Sequence, residues 1–170
     1  MSGNEIAVKC SGITKTFGGV VANDDINLEV KYAEILALLG ENGSGKTTLM
    51  NMLSGIYHPD KGTIAISGKT VAINSPKDSI ALGIGMIHQH FKLVDVFTAA
   101  DNIVAGTKGS LKGKGAVRDE INKISEQLGL EVDPDKKVYN MSVSEKQTVE
   151  ILKVLYRGAK ILILDEPTAV

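Results

Sequence analysis

The sequence is poor in cysteine and aromatic residues. It has one cysteine, Cys10, no tryptophan, four tyrosines and three phenylalanines. A single cysteine excludes a disulfide framework within the chain, and a reducing compartment is the simpler expectation. The 19 basic and 20 acidic residues give a net charge of −1. A near-neutral chain with so few aromatic side chains argues against a nucleic-acid-binding function. The 43% of hydrophobic and 23% of charged residues are typical of a globular protein.

Long apolar runs are also missing. The longest runs, residues 35–39 and 161–164, fall far short of the about 20 residues that a transmembrane helix needs. The N-terminal residues lack the basic and then apolar regions of a secretory signal. We therefore expect a soluble chain whose only role at a membrane is peripheral.

Glycine, with 18 residues, is above its average usage, and one cluster of glycines carries a motif. Residues 40–47 match the phosphate-loop pattern G-x-x-x-x-G-K-[ST], between a predicted apolar strand at 35–39 and a predicted helix at 46–53. Such a loop points successive backbone N–H groups at phosphate oxygens, and the N-terminus of the helix adds partial positive charge. The residues predicted to bind a nucleotide are Gly40, Glu41, Asn42, Gly43, Ser44, Gly45, Lys46, Thr47 and Thr48.

Three side chains of this loop have distinct predicted roles. Lys46 places a positive charge on the β- and γ-phosphates of ATP, and the Thr47 hydroxyl reaches Mg²⁺. Thr48 adds a hydroxyl contact to the α-phosphate.

A second acidic centre follows a short apolar run near the end of the sequence. Residues 161–164 predict a buried parallel strand, and Asp165 and Glu166 come directly after it. Ligands of open α/β sheets bind at this edge. Asp165 is predicted to hold Mg²⁺ through its water shell, and Glu166 to orient or deprotonate the attacking water. Two exposed acids in a turn are the alternative, which the presence of a phosphate loop makes the weaker one.

The remaining pattern divides the chain. Strands are predicted at 6–9, 13–17, 26–30, 62–67, 70–73 and 84–88, and a short helix at 76–82. Residues 91–158 are mainly helical: an apolar stripe from Val117 to Leu128 predicts one helix, and the S-x-x-E capping box at Ser142 predicts another that runs to about Tyr156. We predict an α/β nucleotide-binding core from residues 1–90 and 159–170, and an inserted helical subdomain from 91–158.

The two centres and the segment between them resemble a known family. Asp165 follows Lys46 by 119 positions, and residues 141–147, Met-Ser-Val-Ser-Glu-Lys-Gln, lie just upstream of the second centre. This arrangement resembles the ATP-binding subunit of ABC transporters over essentially the whole chain. Residues 149–158 and 164–170 look most similar to the first half of the tandem ATPases of sugar and nucleoside importers. The resemblance implies a P-loop NTPase core with N-terminal antiparallel strands.

Further roles are implied by the resemblance. Gln89 occupies the position of the Q-loop glutamine, which contacts Mg²⁺ or the attacking water and relays the nucleotide state to the helical insert. Phe17 occupies the position of the aromatic residue that stacks on adenine, with a core position as the alternative. Ser142 and Ser144 lie in the signature motif, which in this family caps the γ-phosphate held by a second domain paired head to tail.

The implied partners are transmembrane permease subunits and the second nucleotide-binding domain. The implied place is the cytoplasmic face of the cell membrane, which the chain reaches only through the permease. The three histidines, His58, His88 and His90, are expected to be surface or loop residues and not metal ligands.

Two features depart from the family pattern. Ser144 stands where the family has a glycine, and its side chain is expected to weaken ATP-driven pairing. The family's D-loop and switch histidine follow the position of Val170, so we expect further sequence there. Residues 1–170 alone are expected to bind ATP weakly or not at all and to turn over little.

Three other functions stay open at this point. They are a soluble ABC-type ATPase that acts on nucleic acid or ribosomes, a P-loop kinase for a small molecule, and a non-catalytic nucleotide-binding fragment. The charge balance disfavours the first. The segment 141–147 and the spacing of the two centres disfavour the second.

Overall fold

The computed structural model describes residues 5–88, 91–107 and 113–165. The chain divides into two compact units, Met1–Ile84 and Gly85–Val170. The elements in chain order are β1 (Ile6–Phe17), β2 (Val20–Lys31), α1 (Lys46–Leu53), β3 (Lys61–Ile66), β4 (Lys69–Val71), α2 (Pro76–Ala81), β5 (Ile84–Ile87), α3 (Ala99–Val104), α4 (Lys114–Leu128), a one-turn 3₁₀ helix (Val138–Asn140), α5 (Val143–Tyr156) and β6 (Ile161–Leu164).

The first unit contains an antiparallel sheet with the strand order β2-β1-β3-β4. The predicted N-terminal antiparallel strands are confirmed, but the break between the first two was wrong. Residues 6–17 form one continuous strand, because Gly12 (φ 64°) makes an irregularity in the ladder and not a turn. The Gly12 N–H donates to Asn27 Oδ1 at 2.9 Å across to β2.

The short elements that follow agree with the sequence. The hairpin of β3 and β4 is confirmed, with β4 ending at Val71. Helix α2 begins after Ser75, whose side chain caps it by accepting from the Asp78 N–H, and Pro76 occupies its first position. Strand β5 confirms the strand predicted at 84–88 and ends at Ile87.

The strand predicted at residues 35–39 is absent from the structure. In this apolar run, the side chains of Ile35 and Leu39 are 99% and 91% exposed. A strand needs neighbours that pair its N–H and C=O groups, and none of the ladders in the described ranges includes this run. An apolar sequence alone therefore did not fix a strand here.

The second unit has a helical core. The buried residues of this hydrophobic cluster come mainly from α3, α4 and α5. They are Ala99, Ile103, Val104, Val117, Ile121, Val138, Met141, Val149 and Leu152. The predicted helices α4 and α5 are confirmed, and α4 ends at Gly129 with φ 63°. The end of the predicted stripe departs from this core, since Leu128 is exposed. No helix among the described residues is long and apolar enough to cross a bilayer.

Strands β5 and β6 pair in a second sheet. The strand predicted at Ile161–Leu164 is confirmed, but the expectation that it is buried was wrong. Only Ile163 is buried, while Leu162 and Leu164 are exposed. This alternation is typical of a strand that is covered on one face only.

Candidate phosphate-binding site

The glycine-rich loop at residues 40–47 folds around the ammonium group of Lys46. Lys46 Nζ donates to the backbone oxygens of Gly40 at 2.7 Å and Glu41 at 2.8 Å, and it lies 3.3 Å from Ser44 Oγ. The Ser44 N–H donates to Glu41 O at 3.2 Å, which closes the turn. The charge of Lys46 is therefore held inside the loop by its own carbonyl groups.

Helix α1 starts at this loop without a side-chain cap. Its N-cap residue is Gly45, in the left-handed region with φ 86°, and its first turn contains no acidic residue. The N-cap carbonyl accepts from the Leu49 N–H at 3.0 Å, so the helix begins immediately after the loop. A helix N-terminus of this kind attracts anions through its N–H groups and its dipole.

A Cβ atom added at either of two glycines of the loop would meet a close neighbour. A Cβ at Gly40 would lie 2.7 Å from Ser44 Oγ and 3.8 Å from Lys46 Nζ, so it would enter the space inside the loop. A Cβ at Gly45 would lie 2.1 Å from the Ala22 carbonyl oxygen of β2. At Gly40 the Ser44 hydroxyl could turn away from a Cβ, whereas Gly45 is required for the close approach of the loop to β2.

The hydroxyl residues of the motif lie at the first positions of α1. Thr47 is exposed and Thr48 is half-buried. A threonine hydroxyl is a hard oxygen ligand of the type that Mg²⁺ prefers, and a carboxylate such as that of Asp165 is another. Thr47 and Asp165 are therefore each of a donor type that fits this cation.

Phe17, the predicted adenine-stacking residue, lies at the end of β1 and is 42% exposed. Its ring contacts Tyr57 edge to face, with 5.1 Å between the centroids, and Lys15 Nζ lies 5.4 Å from its centroid. Lys15 is held by an ion pair with Asp60 at 2.8 Å. This exposure excludes the alternative that Phe17 is a core residue, and its stacking role stays a prediction.

The predicted signature residues Ser142 and Ser144 lie at the start of α5. Ser142 is the N-cap: its Oγ accepts from the Glu145 N–H, and its own N–H donates to Glu145 Oε2 at 2.8 Å. Lys136 Nζ also donates to Glu145, at 2.6 Å. This hydrogen bond and those from Ser142 lower the pKa of Glu145 to about 2. The capping box predicted from the sequence is confirmed, while the contact to a γ-phosphate stays a prediction.

The predicted second centre begins where β6 ends. The Asp165 N–H donates to the Ile87 carbonyl oxygen at 3.1 Å, which places Asp165 beside the end of β5. His88, the next residue after β5, is half-buried, and burial lowers its pKa, with a further contribution from Lys92. Gln89, His90 and Glu166 lie outside the described residues, so their predicted roles stay predictions.

Two features of these surroundings were missed by the sequence analysis. In the first unit, the buried side chain of Asn23 donates through Nδ2 to the Gly45 carbonyl at 3.3 Å. In the second unit, Glu150 Oε1 accepts from the Lys92 N–H at 2.6 Å, and Lys153 Nζ donates to the Lys92 carbonyl at 2.8 Å. A buried polar residue on a strand could have been suspected at Asn23 only if the strand had been predicted to include it. The third predicted strand began at residue 26, whereas β2 begins at Val20.

A family model described as ABC transporter matches residues 23–169 of this sequence. The chain belongs to the ABC transporter family. Its α/β fold is that of the family's P-loop nucleotide-binding cassette. The cbiO1 protein from Clostridium perfringens, described as part of the ABC transporter complex cbiONQ, aligns with a TM-score of 0.83 and 29% identity over 98% of this chain and 67% of that chain.

Two importer proteins are similar to this ABC transporter chain in sequence. The nucleoside import ATP-binding protein NupA of Lactococcus lactis subsp. cremoris (strain MG1363) is 52% identical over 170 residues, which cover 98% of this chain and 34% of that protein. The guanosine import ATP-binding protein NupO of Bacillus subtilis (strain 168) is 53% identical over 170 residues, which cover 98% and 33%. The chain thus spans about a third of the length of these curated relatives.

Proposed function

We propose that this chain binds ATP and hydrolyses it to power an ABC-type importer of nucleosides or sugars. The observation that carries the proposal is the loop at residues 40–47, where the Lys46 ammonium lies between the Gly40 and Glu41 carbonyl oxygens in front of the uncapped N-terminus of α1. This combination supports binding of a triphosphate. The identity with the nucleoside and guanosine import proteins supports nucleosides before sugars as the transported solute.

The residues of the loop act by binding and orientation. Lys46 holds the β- and γ-phosphates, the loop N–H groups hold the remaining phosphate oxygens, and Phe17 stacks on the adenine. Thr47, Asp165 and Gln89 are the residues that would hold Mg²⁺, and the ion would offset negative charge on the phosphate oxygens. Glu166 orients the attacking water and accepts its proton.

The proposed partners follow from the same role. The chain works at the cytoplasmic face of the cell membrane, bound to permease subunits, and pairs head to tail with a second nucleotide-binding domain. The α5 N-terminus at Ser142, with Ser144 in its first turn, faces the γ-phosphate held by that domain. Capping of α5 by Ser142 and Glu145 is compatible with this role, since a helix N-terminus has several N–H groups.

The proposal is tested by Lys46→Ala in the protein as the cell makes it, expressed with its permease. Titration with a fluorescent ATP analogue is expected to show at least about 100-fold weaker binding, because the ammonium makes charge-assisted contacts to two phosphates. Uptake of labelled guanosine by cells is expected to stop. The matched control is Lys9→Ala, which removes an exposed lysine paired with Glu29 on the neighbouring strand and is expected to change neither reading.

Three outcomes separate the parts of the proposal. Unchanged analogue binding by Lys46→Ala would contradict the assignment of the phosphate site. Binding without guanosine uptake, but with uptake of labelled ribose or galactose, would replace nucleosides by sugars. Binding and hydrolysis with no copurifying permease would contradict the transport role.

A further inference from the structure

The side chain of Asn23 is a buried amide that is only half satisfied. It lies on β2 and is 5% exposed. Its Nδ2 donates to the Gly45 carbonyl oxygen at 3.3 Å, while its Oδ1 is buried and has no hydrogen-bond partner among the described residues. A buried amide oxygen without a partner costs stability, so this position is not optimised for folding alone.

The orientation of this amide is fixed by its neighbour. Rotating the amide by half a turn would place Oδ1 against the Gly45 carbonyl oxygen, where two acceptors would repel each other. The same carbonyl already accepts from the Leu49 N–H at 3.0 Å. The donor group of Asn23 therefore faces the loop, and the unpaired oxygen is the consequence.

The hydrogen bond acts on a peptide group that matters for phosphate binding. Gly45 O and the Lys46 N–H belong to one planar trans peptide, so they point in opposite directions. Fixing the carbonyl toward β2 and the body of α1 turns the Lys46 N–H outward, into the space in front of the helix where an anion would be held.

The strand is irregular where it approaches the loop. The pairing of β1 with β2 shifts register between the Ile13 and Lys15 pairs, and again between the Lys15 and Thr16 pairs, on either side of the Lys15–Asn23 pair. Such irregularities change the direction of a side chain next to a functional site. The Ala22 carbonyl, one residue away, is the group that leaves no room for a Cβ at Gly45.

We infer that Asn23 is a positioning residue of the phosphate loop: its amide holds the Gly45–Lys46 peptide so that the Lys46 N–H faces the nucleotide's phosphate chain beyond the α-phosphate. This inference rests on the proposed function. Asn23, which lies on β2 outside the loop motif, thereby contributes to the selectivity for nucleotides that carry a β-phosphate.

The test compares Asn23→Leu and Asn23→Ala with wild type, each in the protein as the cell makes it. Binding of fluorescent ADP and AMP analogues is titrated, and the melting temperature is measured without nucleotide. The leucine variant removes both the donor and the unpaired oxygen at little cost in volume, and the alanine variant removes them without adding bulk. The matched control is Asn27→Leu, on the same strand, where the side chain accepts from the Gly12 N–H at 2.9 Å.

We expect the Asn23 variants to lose affinity for the ADP analogue, while the leucine variant loses no thermal stability. Both Asn23 variants bind the ADP analogue about three- to tenfold more weakly, the range of one net hydrogen bond, and bind the AMP analogue as wild type does. Asn23→Leu melts at or above the wild-type temperature. Asn27→Leu melts lower but keeps wild-type affinity for both analogues.

Several results would overturn the inference. One is unchanged affinity of both Asn23 variants for the ADP analogue. Another is an equal loss for the ADP and AMP analogues, or a loss matched by Asn27→Leu, since either would assign Asn23 to general folding. If Asn23→Leu does not fold, Asn23→Ala decides by the same ADP-to-AMP comparison. Failure of wild type to bind the ADP analogue would instead overturn the proposed function.

Discussion

The helices α1 and α5 begin in contrasting ways, although a phosphate role is proposed for both N-termini. At α1 the N-cap is the left-handed glycine Gly45, with no side-chain cap and no acidic residue in the first turn. At α5 the N-cap is Ser142, and Glu145 completes a capping box. The first helix start offers positive potential from Lys46 and its dipole, while the second already holds a carboxylate of its own chain.

The contrast shows how much each site depends on its surroundings. The loop before α1 is shaped for an anion by residues of its own chain, since it holds the Lys46 ammonium and the first turn of α1 has no acidic residue. The N-terminus of α5 is stabilised as an ordinary helix start. If it contacts a γ-phosphate, the ligand must therefore reach N–H groups beside an ionised Glu145. The following changes test each half of this comparison.

Gly45→Ala is expected to have the largest effect. The new Cβ would be forced into the left-handed region and against the Ala22 oxygen at 2.1 Å, which together cost about 3 kcal/mol or more. The matched control is Gly43→Ala, at nearly the same φ (83° against 86°) but with no atom within 4 Å of its Cβ, for which about 1–2 kcal/mol is expected. Urea unfolding measures both, and equal losses would refute the role of close approach to β2.

Ser142→Ala is expected to destabilise α5 by about 1 kcal/mol, because it removes the side-chain acceptor of the Glu145 N–H. Urea unfolding is again the measurement. The matched control is Ser144→Ala, two residues further on, where the side chain is exposed and no cap is lost, so a change within about 0.5 kcal/mol is expected. A loss for Ser144→Ala as large as that for Ser142→Ala would contradict the capping assignment.

Ser144→Gly tests the proposed contact of α5 with a γ-phosphate. Removing the side chain is expected to raise the ATPase rate of the intact protein roughly threefold, equivalent to about 0.7 kcal/mol, because the N–H groups of the first turn become easier to approach. The same change is expected to lower the stability of α5 by about 0.5 kcal/mol, since glycine is a poor helix former. An unchanged rate would remove Ser144 from the explanation of any weak pairing.

The sequence predicted the elements whose signals are local. The phosphate-loop motif with the helix after it, the cap at Ser75 and the capping box at Ser142 depend on residues a few positions apart, and each appears where predicted. The strand predicted at 35–39 is absent, because strand formation depends on pairing partners that the sequence of the run does not specify.

The contribution of Asn23 was unpredictable for a related reason. Its contact with Gly45 joins positions 22 residues apart, and Asn23 lies between two register shifts in the β1–β2 ladder. Neither shift has a simple sequence signature. The one local hint is an aspartate at position 25, since Asp25 has a positive φ (47°) and aspartate tolerates this conformation better than most residues. Local motifs thus located the phosphate loop, but not the residue that braces it.

The smallest expected effect is the pH dependence of the α5 N-terminus. The hydrogen bond from Lys136, with those from Ser142, lowers the folded-state pKa of Glu145 to about 2, below its ordinary value of about 4.3. A lowered carboxyl pKa contributes stability that is fully present above pH 4.3 and is lost as the pH falls toward 2. Glu145→Gln removes this titration, so its urea midpoint is expected to fall less than that of wild type between pH 5 and pH 3. Lys136→Met, which removes the first of these hydrogen bonds, is expected to flatten the same slope. Because several other carboxylates titrate in this window, the comparison rests on the difference between slopes, and parallel slopes for all three proteins would show that Glu145 is not held as an ionised cap.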